Sequence, residues 1–185
     1  MLAFLRLFLW NQAVAMGLVK GEKKIHKVHI DHSDKTFWKS LLVGISCAFY
    51  WLLAVQSFFY LNTPRPYYGC VFVAVGFCSI GADSGLFRDH HRVMRMNQYC
   101  DRWMATIGTM LILYEVLLEF ALRSIWAGMF FVFITLVSFF TLQSARERVH
   151  TYGHDWGWVA LHCLWHFLTV AGTLVIVYRA DTSIQ

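Results

Sequence analysis

The chain has 185 residues, of which 58% are hydrophobic, 17% aromatic and only 15% charged, and its formal net charge is +5. This composition lies far outside that of soluble domains and predicts an all-α, polytopic membrane helix bundle with a single transmembrane domain over residues 1–185. The basic residues stand beside apolar runs and form no separate basic domain, so nucleic-acid binding is not implied.

The N-terminal part of the chain divides into two segments. Residues 1–19 are apolar but interrupted by polar side chains, which fits either a short span or a helix that lies in the membrane interface. A signal peptide is a poor fit, because no small-residue cleavage site follows. Residues 20–37 form a basic juxtamembrane segment, and its three histidines indicate contact with anionic lipid headgroups more than metal binding.

Apolar runs predict five firm spans, with residues 1–19 as a possible sixth, because about 20 apolar residues in a helix cross the hydrocarbon core. The five runs cover residues 38–61, 69–87, 103–122, 125–142 and 157–178. If the spans alternate in direction, nearly all Lys and Arg residues fall on one side, in loops 20–37, 88–102 and 143–156. The positive-inside rule therefore predicts that these loops are cytoplasmic or matrix-facing.

All nine histidines fall on the same basic side of the predicted bundle. Two of them, His162 and His166, lie inside the last span and are four residues apart, so a helix presents both on one face. Ionisable side chains inside a span are expensive and are functional candidates by default. A pair of structural histidines, hydrogen-bonded to neighbouring helices, remains the alternative.

Imidazoles and carboxylates are common zinc ligands, and three protein ligands with one water form a hydrolytic site. Zinc makes that water nucleophilic at neutral pH, a carboxylate can accept its proton, and a serine hydroxyl can stabilise an oxyanion. The sequence therefore predicts a zinc-dependent hydrolytic site near the basic face. Its residues are the metal ligands His162, His166 and one of His90 and His91, and the catalytic residues Asp101 and Ser84.

The segment His162-Cys-Leu-Trp-His166-Phe-Leu-Thr resembles the last-helix signature of the CREST superfamily. That group contains the alkaline ceramidases, the progestin and adipoQ receptors, the GPI lipid-remodelling factors and myomaker-like proteins. Asn97-Gln-Tyr-Cys-Asp101 is similar to the aspartate segment of the myomaker-like branch. The resemblance implies that the serine of the site is Ser84 or Ser79, that its aspartate is Asp101 and that zinc is bound by three histidines. It also implies that the substrate is a membrane lipid, hydrolysed at an amide or ester bond.

The chain departs from the pattern of this superfamily at the third ligand. There, a serine and a histidine stand four residues apart at the end of an early helix. Here Arg88 follows Ser84 at that spacing, and Asp83 follows Ser79. The third ligand is therefore displaced into the loop, as His90 or His91, or absent, and the chain is a diverged member.

A second hypothesis is that the chain is a non-catalytic accessory subunit of a larger membrane complex, and that its histidines pair with lipid or with other membrane subunits.

The five cysteines include no CxxC pair and lie mostly in apolar runs, so they are interpreted as small buried hydrophobic residues. Glu115 and Glu119 share a helix face at the far end of their span. They indicate a polar cavity or a proton path, although Glu119, close to Arg123, also fits an interfacial ion pair.

Overall fold

The computed structural model describes residues 36–61, 65–87, 89–122 and 124–182, and the regular elements within them are all helices. Residues 1–35, with the predicted N-terminal span or interfacial helix and most of the basic segment, lie outside the described residues. In chain order the elements are α1 (Phe37–Ala48), α2 (Tyr50–Val55), a π-helical segment (Gln56–Tyr60), α3 (Pro66–Asp83), α4 (His91–Leu122), α5 (Ile125–Tyr152) and α6 (Trp156–Thr182).

Four of the described helices are long and apolar enough to cross a membrane: Phe37–Tyr60, Pro66–Asp83, Ile125–Tyr152 and Trp156–Arg179. The prediction of an all-α membrane helix bundle is therefore confirmed, whereas the predicted number of five or six spans is not supported. The remaining predicted span, 103–122, forms the second part of α4, which is not among these four candidates. Its first turns are polar and carry Arg92, Arg95 and Arg102.

The helices pack as an antiparallel bundle. Helix α6 packs against α5 and α1, and α3 packs against α4 and the first span. The largest core cluster joins the first span, α3 and α6 around Leu53, Phe72 and Val177. A second cluster surrounds the buried side chains of Cys47 and Trp158. The first span, the end of α3 and the beginning of α6 therefore meet at one end of the bundle.

The turn between α5 and α6 is held by specific contacts. Gly153, which follows the last residue of α5, has a φ of 68°, a left-handed conformation that glycine adopts without steric cost. The Asp155 carboxylate accepts a hydrogen bond of 2.7 Å from the backbone N–H of Trp158 and one of 2.6 Å from Arg148 Nη2. These bonds, with Arg148 contributing most, lower the pKa of Asp155 to about 2. The turn sets where α6 begins and so the depth of its histidines.

Candidate metal centre

Four side chains from three helices meet at the basic end of the bundle. They are Cys47 of α1, Asp83 at the end of α3, and His162 and His166 of α6. We call them the four-donor cluster, because each offers one possible ligand atom and these atoms all lie within 4.8 Å of one another. The two imidazole rings lie on one face of α6, with their centroids 4.6 Å apart.

The neighbouring residue Ser46 orients the imidazole of His166. The Ser46 hydroxyl donates its proton to the carbonyl oxygen of Val43 at 2.7 Å, and its oxygen lies 3.0 Å from Nδ1 of His166. If the single hydroxyl proton goes to Val43, Nδ1 of His166 is the donor in this second bond. In that tautomer the lone pair of Nε2 is left available for a metal ion.

The two Nε2 atoms of the cluster provide the test of whether a metal ion fits. Both are buried, and neither has a hydrogen-bond partner among the described residues. Nε2 of His162 lies 3.3 Å from Oδ2 of Asp83, which is an electrostatic contact. Buried polar atoms without partners are rare in proteins and costly. A cation among two imidazole nitrogens, a carboxylate oxygen and a thiol sulfur would satisfy them, and this donor set suits zinc.

Aromatic rings enclose the two imidazoles. Trp165 lies 5.4 Å from His162 and 4.4 Å from His166 between ring centroids. Trp158 stacks obliquely on His162 at 4.9 Å, and Tyr50 contacts His166 at 5.5 Å. The two imidazoles are buried beneath these rings, whereas the Asp83 side chain is 20% exposed. Electrostatic interactions of the imidazoles are therefore stronger than at the surface.

The structure brings together some of the sequence-predicted site residues and separates others. His162 and His166 belong to the cluster, and Asp101 lies within electrostatic range of Asp83. His90 is exposed in the turn before α4 and is not part of the four-donor cluster, while the side chain of His91 lies outside the described side chains.

The structure pairs Asp101 with Ser79, whose hydroxyl donates a hydrogen bond of 2.5 Å to Oδ1 of Asp101. The Ser84 hydroxyl instead donates a hydrogen bond to the carbonyl oxygen of Ile80 and accepts one from the backbone N–H of Leu86. These two bonds cap the end of α3.

Sequence reasoning missed two members of the cluster. Cys47 was interpreted as a small hydrophobic residue, and no signal in the sequence connects it to a histidine pair more than a hundred positions away. For Asp83 a signal exists, since Ser79 and Asp83 have the four-residue spacing that the superfamily pattern requires of its serine and first histidine. An aspartate stands where that pattern has the histidine.

If the four-donor cluster binds zinc, replacement of Ser46 by alanine should weaken that binding without unfolding the protein. The substitution removes the Ser46 hydroxyl from Nδ1 of His166, and loss of such a supporting hydrogen bond lowers metal affinity about 10- to 100-fold. The measurement is zinc affinity by competition with a chelator. Ser57→Ala is the matched control, because the Ser57 hydroxyl is equally buried in the same span and donates only to Leu53 O. Equal affinities for the two variants would contradict the orienting role of Ser46.

Comparison with known proteins leaves the function to be inferred from the geometry. No protein-family model matches the chain. Searches of curated proteins and of solved structures also gave no significant match.

Proposed function

We propose that Asp83, His162 and His166 bind a zinc ion, and that the chain is a zinc-dependent hydrolase that cleaves an amide or ester bond of a membrane lipid. The observation that carries the proposal is the convergence of two buried imidazoles on the Asp83 carboxylate, with neither Nε2 atom in a hydrogen bond among the described residues. Two histidines and one carboxylate form a well-known catalytic zinc ligand set that keeps a coordination position for water. In this proposal Asp83 replaces His90 or His91 as the third ligand.

Asp101 is the proposed proton acceptor of the reaction. When bound, zinc would lower the pKa of a water molecule to about 7 and so supply a nucleophile at neutral pH. The Asp101 carboxylate, held by the Ser79 hydroxyl beside Asp83, takes the proton of this water and returns it to the leaving group. Ser79 acts as a positioning residue. Ser84 has no catalytic role in this proposal, because its hydroxyl is engaged with the backbone of α3.

The depth of the cluster supports a lipid as the substrate. The exposed Trp156 begins α6 and suits the membrane interface. His162 follows six residues later, which corresponds to roughly 9 Å along a helix at 1.5 Å per residue. A site at this depth meets the region between the headgroups and the acyl chains, where lipid ester and amide bonds lie. The superfamily resemblance of the His162–His166 segment implies the same class of substrate.

Replacement of Asp101 by asparagine tests the catalytic proposal. Asparagine keeps the shape of the side chain but cannot accept the proton, so hydrolysis should fall about 10²- to 10⁴-fold while zinc content stays unchanged. The assay follows cleavage of a labelled glycerophospholipid and a labelled ceramide in mixed micelles by the zinc-loaded protein. Ser84→Ala is the control and should keep wild-type turnover. A zinc-loaded wild-type protein that cleaves neither lipid would contradict the proposal.

We also propose that α4 crosses the membrane, which makes five spans, and that its N-terminal end faces the cytoplasm or a matrix-like compartment. In support, α4 contacts α3 at both ends of the bundle, through Asp101 and Ser79 at one end and through Glu115 and Arg65 at the other. His90→Cys and Ser124→Cys should therefore react with a membrane-impermeant maleimide from opposite sides of sealed vesicles. Labelling of both from one side would contradict this topology.

One observation favours the second candidate function, a non-catalytic subunit of a larger membrane complex. The four-donor cluster contains a complete set of four ligands, and zinc sites closed by four protein ligands are usually structural. In that role the metal would connect α1, α3 and α6 without chemistry. Bound zinc with no lipid cleavage, and with identical behaviour of the wild type and Asp101→Asn, is the result that this alternative predicts.

A further inference from the structure

We propose that Cys47 is the fourth protein ligand of this metal ion, bound as a thiolate. The inference rests on the proposed zinc site and adds to it a residue that the superfamily resemblance does not assign. If it is correct, the ion has a complete set of protein ligands at rest, and hydrolysis requires either that the thiolate leaves or that the coordination number rises to five.

The position of the sulfur is the first argument. Sγ of Cys47 lies within 4.8 Å of the ligand atoms of Asp83, His162 and His166, and the side chain is fully buried. Cys47 directly follows Ser46, which orients His166, so α1 contributes both a ligand and the support of another ligand. The Nε2 atoms of both histidines are buried, and neither forms a hydrogen bond with the residues that the structure describes. The sulfur is therefore part of a converging set of donors.

Charge balance is the second argument. Counting only its direct ligands, a divalent ion bound by two neutral imidazoles and one carboxylate keeps a net positive charge, which is costly beside two buried imidazoles. A thiolate neutralises that charge. On binding, the Cys47 thiol releases its proton to solvent and a sulfur–metal bond forms, so that no oxidant or reductant is needed.

A neighbouring cysteine provides an internal comparison. Cys163 lies between the two histidines in α6 and packs against the same core cluster as Cys47. Its sulfur faces α1, 3.8 Å from the carbonyl oxygen of Leu42, and it does not belong to the four-donor cluster. The two cysteines differ in whether they face the metal position, which makes Cys163 the matched control.

Cobalt(II) substitution tests the proposal directly, since thiolate ligands give cobalt an intense near-ultraviolet charge-transfer absorption that nitrogen and oxygen ligands do not give. The wild-type protein loaded with cobalt should show this band. Cys47→Ser should bind cobalt without the band and with affinity lower by at least roughly 100-fold, because loss of a supporting hydrogen bond alone costs about 10- to 100-fold. Cys163→Ser should match the wild type.

The possible failures are distinguishable. The proposal that Cys47 is a ligand is overturned if the wild type binds cobalt but lacks the charge-transfer band, or if Cys47→Ser retains the band. The proposed zinc site remains in either case. If the wild type binds neither zinc nor cobalt, the proposed function fails as well. If Cys47→Ser does not fold, absence of the band from the wild type still overturns the proposal, and retention of the band by Cys163→Ser excludes the neighbouring cysteine as its source.

Discussion

His166→Ala should abolish zinc binding by the purified protein, and His162→Ala should do the same. Each substitution removes one of the two imidazole donors and leaves the remaining ligands without a complete set. If loss of a direct ligand costs at least roughly 100-fold in affinity, the stabilisation that zinc confers falls by about 2.7 kcal/mol or more, since each factor of ten corresponds to about 1.4 kcal/mol. The measurements are the zinc content after dialysis and the zinc-induced shift of the melting temperature.

His154→Ala is the control for loss of a buried imidazole. His154 is 2% exposed, and its ring centroid lies 4.5 Å from that of Trp158, which precedes His162 by one helical turn. His154 does not belong to the four-donor cluster. This variant should lose stability through packing and keep its zinc. If His154→Ala and His166→Ala lose zinc equally, the metal is not bound by the four-donor cluster.

The helices could be predicted from the sequence better than their ends could. Hydropathy reports how much of a helix lies in hydrocarbon, whereas caps and turns decide where the helix stops. Helix α5 was predicted to end at residue 142 but continues to Tyr152, because its polar last turns remain helical until Gly153 changes the backbone direction. Helix α4 begins at His91, well before the predicted start of its apolar part at residue 103.

The candidate site could be predicted only where its residues share a helix. The spacing of His162 and His166 implies a common face, and the structure has that geometry. Donors on other helices depend on how helices pack, which spacing within one segment does not encode. Cys47 could not have been found in this way, and Asp83 was visible only as a departure from the expected serine–histidine spacing.

The same limitation applies at the opposite end of the bundle. From the helix face that Glu115 shares with Glu119, the sequence predicted that Glu115 lines a polar cavity or a proton path. The structure instead pairs the Glu115 carboxylate with the Arg65 guanidinium at the start of α3, and these side chains are only 3% and 12% exposed. Tyr68 donates a further hydrogen bond of 2.8 Å to Glu115. The side chains of Glu119 and Arg123, predicted to form an interfacial ion pair, lie outside the described side chains.

Breaking this buried ion pair should cause the largest loss of stability outside the candidate site. Glu115→Leu leaves the Arg65 guanidinium buried without its counter-charge, and Arg65→Met leaves the Glu115 carboxylate in the same state. Removal of one partner of a buried pair costs about 3–5 kcal/mol. The free energy of unfolding in mixed micelles measures the effect. Arg148→Met is the comparison, since Arg148 and Asp155 form a half-exposed pair whose charges remain hydrated, so its loss should cost less than loss of the buried pair.

The double variant Arg65→Met/Glu115→Leu separates the energy of the pair from the cost of leaving one charge alone. Two apolar side chains of similar volume have no charge to desolvate, so the double variant should be about as stable as the wild type or more stable. Tyr68 keeps a partner in it, because its hydroxyl also lies 3.2 Å from the carbonyl oxygen of Leu111. If the losses of the two single variants simply add in the double variant, Arg65 and Glu115 do not interact, and the contact between α3 and α4 depends on packing alone.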